Sequence, residues 1–290
     1  MDAEAILKQW IGRTETRSDA VTAVPVAALA ATLDRDDPLP QPGDPLPPLW
    51  HWLYFLPIAR QSEVGPDGHP QRGGFLPPVS LPRRMWAGGR LDFHQPLRIG
   101  ETITRVSRIV DVTQKQGRSG ALVFVLVRHE ISGSQGLAIT EEHDIVYRDH
   151  PNPADPAPVP PIAPLDATWQ RVVTPDDVLL FRYSALTFNG HRIHYDRRYA
   201  GRVEGYPGLV VHGPLIATLL MDLLLRSLPG TRVTRFQFRA VSPLFDLAPF
   251  TVCGKPEEGG PDKGLARLWA RNPQGGLAME ANARIEAPVP

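Results

Sequence analysis

The alternation of apolar and polar positions divides the chain into two halves that share one order of elements. The second half reads more clearly. After Gly213-Pro214, the residues Leu215, Ile216, Leu219, Leu220, Leu223 and Leu224 recur with the period of one helical face, with proline in the first turn. Ala217, Met221 and Leu225 fill much of the other side, so the pattern predicts a helix wrapped by protein nearly all round and stopped at Pro229-Gly230. Four short alternating segments follow, at Thr234–Ala240, Phe250–Cys253, Leu265–Arg271 and Leu277–Ile285, separated by Gly, Pro and Asp turns such as 256–264 and 272–276. One buried helix followed by an antiparallel meander implies a curled sheet around that helix.

The first half repeats the order. Amphipathic segments near 2–12 and 24–33 come first, then the Trp50–Leu56 cluster and an irregular stretch, 57–90. Strands are expected near Arg90–His94, Glu101–Val112, Ala121–Ile131 and Ala138–Tyr147, with a turn at 117–120. Both Phe93–Leu97 and Phe238–Leu244 read as a strand entering a Pro-Leu turn, so duplication rests on element order more than on letters. Proline marks the division. There are 32 in 290 residues, about twice the usual share. They cluster at 38–48 and 150–165, where neither a helix nor a central strand can form. The second run reads as a semi-rigid linker between a half at 1–149 and a half at 166–290. An ordered proline-rich loop inside a single domain is the alternative.

Composition narrows the function classes. Thirty-one basic and 31 acidic residues leave no net charge, which argues against a nucleic-acid partner. With 42% hydrophobic and 21% charged residues, the chain is neither disordered nor a coiled coil. Cys253 is alone, so a reducing compartment is expected. No apolar run approaches the ~20 residues that span a bilayer. The first ten residues, MDAEAILKQW, lack the basic look of a targeting segment. These features predict a cytoplasmic protein without a membrane partner.

The chemistry concentrates in 181–220. There His191, His194 and His212 lie close to Asn189, Asp196, Tyr183 and Tyr195, just ahead of the buried helix. Histidine suits proton transfer near neutral pH. A metal site on His191, His194 and Asp196 is disfavoured because no Cys is at hand, HExxH is absent and Arg192 stands between the imidazoles. A Ser-His-Asp hydrolase is disfavoured because Ser184 is not in a nucleophile elbow. Purely structural histidines are a further alternative.

The spacing Asn189-x-x-x-Ile193-His194-x-Asp196, followed by Tyr206–Leu215 (YPGLVVHGPL), resembles the signature of the MaoC-like enoyl-thioester hydratases. Those carry Gly-Asp-x-Asn-Pro-Ile/Leu-His and then Ala-His-Gly-Met. In that match His194 falls on the catalytic histidine and His212-Gly213 on the His-Gly before the central helix. Asn189 takes the place of the catalytic Asp, Phe188 of the preceding Gly, and His191-Arg192 of Asn-Pro. The segments 45–57, 65–78, 81–100 and 181–196 resemble a closer branch containing itaconyl-CoA and mesaconyl-C4-CoA hydratases and type 2 hydroxyacyl-thioester dehydratases.

The resemblance implies an α+β double hot-dog fold, with a substrate-covering first half and one catalytic half, and with neither metal nor cofactor. It implies reversible hydration of a short enoyl-CoA, itaconyl-CoA or mesaconyl-C4-CoA first, giving citramalyl-CoA. Dehydration of fatty 3-hydroxyacyl thioesters is the alternative, and thioester binding without catalysis an alternative of another class. His194 is then the expected base, Asn189 orients water, and the Gly213 N–H meets the thioester oxygen. Arg192 is expected on a substrate carboxylate, with Tyr183, His212, Trp50 and Trp52 around the substrate. Arg83, Arg84, Arg197, Arg198 and Arg202 are candidates for the CoA phosphates. Association into a homodimer is a further expectation.

Overall fold

The structure, a computed structural model, describes residues 3–117, 120–150, 158–257 and 264–286. The first half runs α1 (Ala3–Lys8), β1 (Thr14–Ala20), α2 (Ala23–Thr32), β2 (Arg83–Phe93), β3 (Thr102–Gly117), β4 (Gly120–Gly133) and β5 (Gly136–Arg148). The second runs β6 (Trp169–Val173), α3 (Asp177–Leu186), α4 (Arg197–Arg202), α5 (Gly213–Ser227), β7 (Arg232–Ala240), β8 (Phe250–Pro256), β9 (Leu265–Arg271) and β10 (Leu277–Glu286). All ten strands form one antiparallel sheet, ordered β1-β3-β4-β5-β2-β7-β10-β9-β8-β6. Each half therefore has the same internal order, first strand at the outer edge and second strand at the seam. This is the double hot-dog arrangement, with the two sheets joined side by side. Residues 151–157 of the expected linker and 258–263 of the turn at 256–264 lie outside the described residues.

The seam is β2 against β7, where Gly89 pairs with Phe238. A Cβ on Gly88 would stand 2.7 Å from the Phe238 carbonyl, and one on Gly89 2.9 Å from the Phe238 ring. Glycine is needed there for close approach. The same glycines, with the polar Arg83-Arg84 pair, hide the strand from a reading by alternation. Residues 83–89, expected to be irregular, are strand for that reason. β1 and β6, the two edge strands, also escape such a reading, β1 because it is polar and β6 because it is only five residues long.

The central helix α5 is buried continuously from Leu215 to Leu224. Its one charge there, Asp222, sits among Arg226, Arg171 of β6 and Arg35 just after α2. A buried carboxylate needs such partners, and here they fix the helix to both halves. At its other end α5 points into a cavity beneath the seam. No described helix is long and apolar enough to cross a membrane.

Candidate active site

The cavity measures about 1810 Å³ and is walled by both halves. That exceeds the ~300–1,000 Å³ of ordinary small-molecule sites, leaving room for a long thioester. His194, Asn189, Gly213 and Tyr183 all line it.

His194 ends a short 3-10 turn, Arg192–His194, between α3 and α4. Its Nδ1 meets the Val210 carbonyl at 2.7 Å, so that nitrogen carries the proton and Nε2 is left as an acceptor. Burial lowers its pKa to about 4, against a smaller opposite push from the Val210 carbonyl. The ring is thus a neutral base across the physiological range. His212 stacks on it at 3.7 Å and 18°. His212 is itself fully buried, pairs through Nε2 with the Ser184 hydroxyl at 2.8 Å, and does not line the cavity. Its expected place at the substrate is corrected: it backs the base. Tyr183 lines the wall and packs edge-on against His212 at 5.1 Å.

Asn189 lies just after Phe188, whose φ of 48° is left-handed. A β-carbon makes that conformation cost about 1–2 kcal/mol, which gives a reason for glycine at this position in the resembling signature. The Asn189 Oδ1 accepts the His191 N–H at 3.0 Å. Its NH₂ has no partner among the described residues and is the group left for a ligand. Gly213 opens α5, and a Cβ there would meet nothing closer than the Trp86 carbonyl at 4.0 Å. That space and the first-turn N–H groups suit an oxyanion.

Three expectations change. The Arg192 guanidinium is engaged by Asp196 at 2.8 Å and by the Pro66 carbonyl at 3.0 Å, and lies over the Tyr199 ring at 4.3 Å. Three of its five N–H donors are thus taken within the protein, including the Nε–Nη2 edge that would grip a carboxylate side-on. Instead it clamps the 65–70 loop of the first half, whose Asp67 carbonyl also takes the Arg192 N–H at 2.9 Å. Trp50 is buried in the core and does not line the cavity, whereas Trp52 does. Of the proposed phosphate ligands, Arg83 pairs with Glu204 and Arg197 with Asp246. Arg84 lines the cavity and has no carboxylate partner among the described residues.

Two features escaped the sequence. The first is a buried network on the first-half wall. Glu141, 2% exposed, takes hydrogen bonds from Trp52 Nε1 at 2.8 Å, His51 Nε2 at 3.0 Å and His143 Nε2 at 2.6 Å. Burial pushes its carboxyl up, but His143 and His51 together hold it well below the usual range. The His129 and His143 rings meet at 4.5 Å, and Trp86 lies on His143 at 3.9 Å. Arg105 lines the same wall, over the Phe55 ring at 4.9 Å. Its Nε is sealed from solvent without an acceptor, and no carboxylate pairs with it among the described residues. The second feature is the loop 65–70 itself, which brings His69 against His191 at 4.1 Å. Its letters, Gly-Pro-Asp-Gly-His-Pro, announce a turn but not the place where it docks.

Comparison with known proteins settles the class. Residues 49–246 match the sequence profile of the family described as hydroxyacyl-thioester dehydratase type 2. The mesaconyl-C(4)-CoA hydratase of Chloroflexus aurantiacus is 51% identical over 277 residues, covering 95% of this chain and 96% of that protein. The chain belongs to the type 2 hydroxyacyl-thioester dehydratase family. The mitochondrial type 2 enzyme of Schizosaccharomyces pombe is 29% identical, covering 87% of this chain and 90% of its own. Among solved structures, a MaoC-like dehydratase superposes with a TM-score of 0.74 over 96% of this chain and 98% of that one, at 14% identity. The last likeness speaks to fold alone. Membership in the family makes the chain a hydro-lyase, adding or removing water beside a thioester.

Proposed function

We propose that the enzyme hydrates a short, branched dicarboxylyl enoyl-CoA, mesaconyl-C4-CoA first and itaconyl-CoA second, to citramalyl-CoA. The wall opposite the helix N-terminus carries this reading, because it holds a cation where a fatty chain needs hydrocarbon. The Trp86 carbonyl lies beside Gly213 and its ring on His143. Gly213, Trp86, His143, Glu141 and Arg105 all line the one cavity, so an acyl group whose thioester oxygen meets Gly213 shares that space with the Glu141 network. Glu141 is already held by three donors and makes no ion pair with Arg105, so the Arg105 guanidinium is free to meet a carboxylate brought by the substrate. The 51% identity to a hydratase of this substrate supports the same reading.

In this reaction His194 Nε2 removes a proton from water as its oxygen bonds to the β-carbon. The electron pair of the double bond moves to the thioester oxygen, held by the Gly213 N–H, and His194 returns the proton to the α-carbon. The Asn189 NH₂ donates to the water and fixes its direction. Residues 1–149 serve as the acyl cover and 166–290 carry the base, in a cytoplasmic enzyme that uses no metal or cofactor. A homodimer belongs to the same reading and is checked by solution mass.

The test is a panel of mesaconyl-C4-CoA, itaconyl-CoA and crotonyl-CoA, read as the mass gain of one water. The dicarboxylyl thioesters should be preferred. Arg105→Met should weaken kcat/KM for them by about 2–4 kcal/mol, as for a truncated buried charge pair, while sparing crotonyl-CoA. A wild-type enzyme preferring crotonyl-CoA or longer apolar thioesters would overturn the substrate assignment in favour of fatty 3-hydroxyacyl thioesters.

A further inference from the structure

We propose that His69, oriented by Asp67, is a catalytic residue of this hydro-lyase, accepting through Nε2 the second O–H of the attacking water. The proposal rests on the family's hydration chemistry and not on the identity of the acyl group.

A water held for attack offers two O–H groups and needs one lone pair aimed at carbon. His194 Nε2 takes one hydrogen. Asn189 does not take the other, because its oxygen already accepts from the His191 N–H and its free group is a donor. An imidazole is the available alternative. His69 lies on the cavity wall, its ring 4.1 Å from that of His191, which in turn stands edge-on to His194 at 5.4 Å. Its Nδ1 is bound by Asp67 Oδ2 at 3.1 Å, and its backbone N–H by Asp67 Oδ1 at 3.0 Å. The carboxylate thus fixes the tautomer with the proton on Nδ1 and the lone pair on Nε2, as the Val210 carbonyl does for His194.

The fold holds this loop in place by more than one contact. A Cβ on Gly68 would fall 1.8 Å from the Gly190 carbonyl oxygen, and one on Gly190 2.6 Å from that of Gly68. Arg192 holds the same loop through two carbonyls. Loop and catalytic turn are therefore one unit, although they come from different halves. Catalytic groups expected from the second half alone are, on this proposal, completed by the first.

Asp67, His69 and His191 have ligand-type atoms within 4.8 Å of one another. The charges of Arg84 and Arg72, however, act on His69 from the surrounding wall and oppose a cation. The groups that face His69 are Asp67 and Arg72 of its own loop, His191 and His194 of the catalytic turn, and Arg84 of β2. Burial lowers the His69 pKa, and the Asp67 carboxylate opposes that fall. His69 accepts only when neutral, so its protonation contributes to the loss of activity in acid.

The decisive comparison uses His69→Phe, His69→Gln and Asp67→Asn of the full chain, assayed on whichever thioester the wild type hydrates fastest. His69→Phe should lose about 10²-fold in kcat or more, with the melting temperature and the KM nearly unchanged. His69→Gln keeps an acceptor oxygen near the Nε2 position and should recover part of the loss. Asp67→Asn should lose at least about tenfold and move the acidic limb of the pH–kcat/KM profile to lower pH, because the carboxylate that raises His69 is gone. A purely structural Asp67 would lower activity without moving that limb. If His69→Phe keeps a third of the activity, or if Gln and Phe lose equally with the limb fixed, the proposal falls. Loss of activity on dialysis against a chelator would overturn it too, by giving the three residues to a cation. A wild type inert on the whole panel would refute the hydration reading itself, and is told apart because it appears before any substitution.

Discussion

Gly68 and Gly190 meet backbone to backbone, each occupying the space in which the other's side chain would have to stand. This contact sets the distance between the first-half loop and the turn that carries His194. Gly190→Ala should therefore push the loop away from the base. Because a shift of about 1 Å can cost about 10²-fold in rate, kcat/KM should fall by at least tenfold. Differential scanning calorimetry should show a much smaller change, since the displaced segment is surface loop.

Removing the base tests the centre directly. His194→Ala should lower kcat by about 10²–10⁴-fold, the usual contribution of general acid–base catalysis, in steady-state assays of hydration. His191→Ala should do less, because its ring packs against both imidazoles but makes no side-chain hydrogen bond among the described residues.

Arg192 gives a prediction opposite to the one its sequence position suggests. With its guanidinium on Asp196 and Pro66, Arg192→Ala loosens the loop and leaves the acyl end alone. Charged and uncharged thioesters should lose kcat/KM by the same factor. Parallel assays on mesaconyl-C4-CoA and crotonyl-CoA check this, and a loss confined to the dicarboxylyl substrate would restore Arg192 to the carboxylate. Lysine should not rescue, since it lacks the planar fork that spans both acceptors.

Ser184→Ala removes the hydroxyl paired with His212 Nε2 in a site sealed from water. An orphaned buried polar group costs about 1–3 kcal/mol. Urea denaturation should show that loss as a lower midpoint at unchanged slope, with kcat affected only as far as the stack on His194 relaxes.

Stability should also fall in acid, and the sign follows from the imidazoles. Burial lowers His194 to about 4 and His191 to about 2, and holds His212 and His129 well below their ordinary value of 6.5. The unfolded chain takes up these protons near 6.5 while the folded chain does not. Their contribution is complete above pH 6.5 and drains away as pH drops from there toward the folded values. Each group adds a slope of up to about 1.4 kcal/mol per pH unit. Melting temperature should decline steadily from pH 7 to pH 4.5, and a flat profile would mean these rings are solvated.

The sequence shows the elements whose signals are local. Leu215 to Leu224 carry a helical period, Leu265–Arg271 alternates, and His194 and Gly213 sit in a spaced motif, so all of these could be placed before any coordinates. What it hides are relations across long stretches of chain. His51 and Glu141 are 90 residues apart, and each alone reads as ordinary. Arg192 looked free because Pro66, 126 residues away, carries no side-chain signal. His212 and Trp50 looked like ligand contacts because burial behind a wall and exposure on it share the same letters.

The two halves repeat one strand order across the β2–β7 seam, but they do not repeat the chemistry. At the start of α5 stand His212, Gly213 and Pro214. At the start of α2 the chain reads Thr22, Ala23, Val24 and Pro25, without an imidazole or the open glycine. On the proposed mechanism the repeat is thus kept in strand order and broken in function, and each 290-residue polypeptide carries a single turnover centre. An active-site titration with a tight-binding thioester should saturate at one equivalent per chain, and two equivalents would mean a second centre.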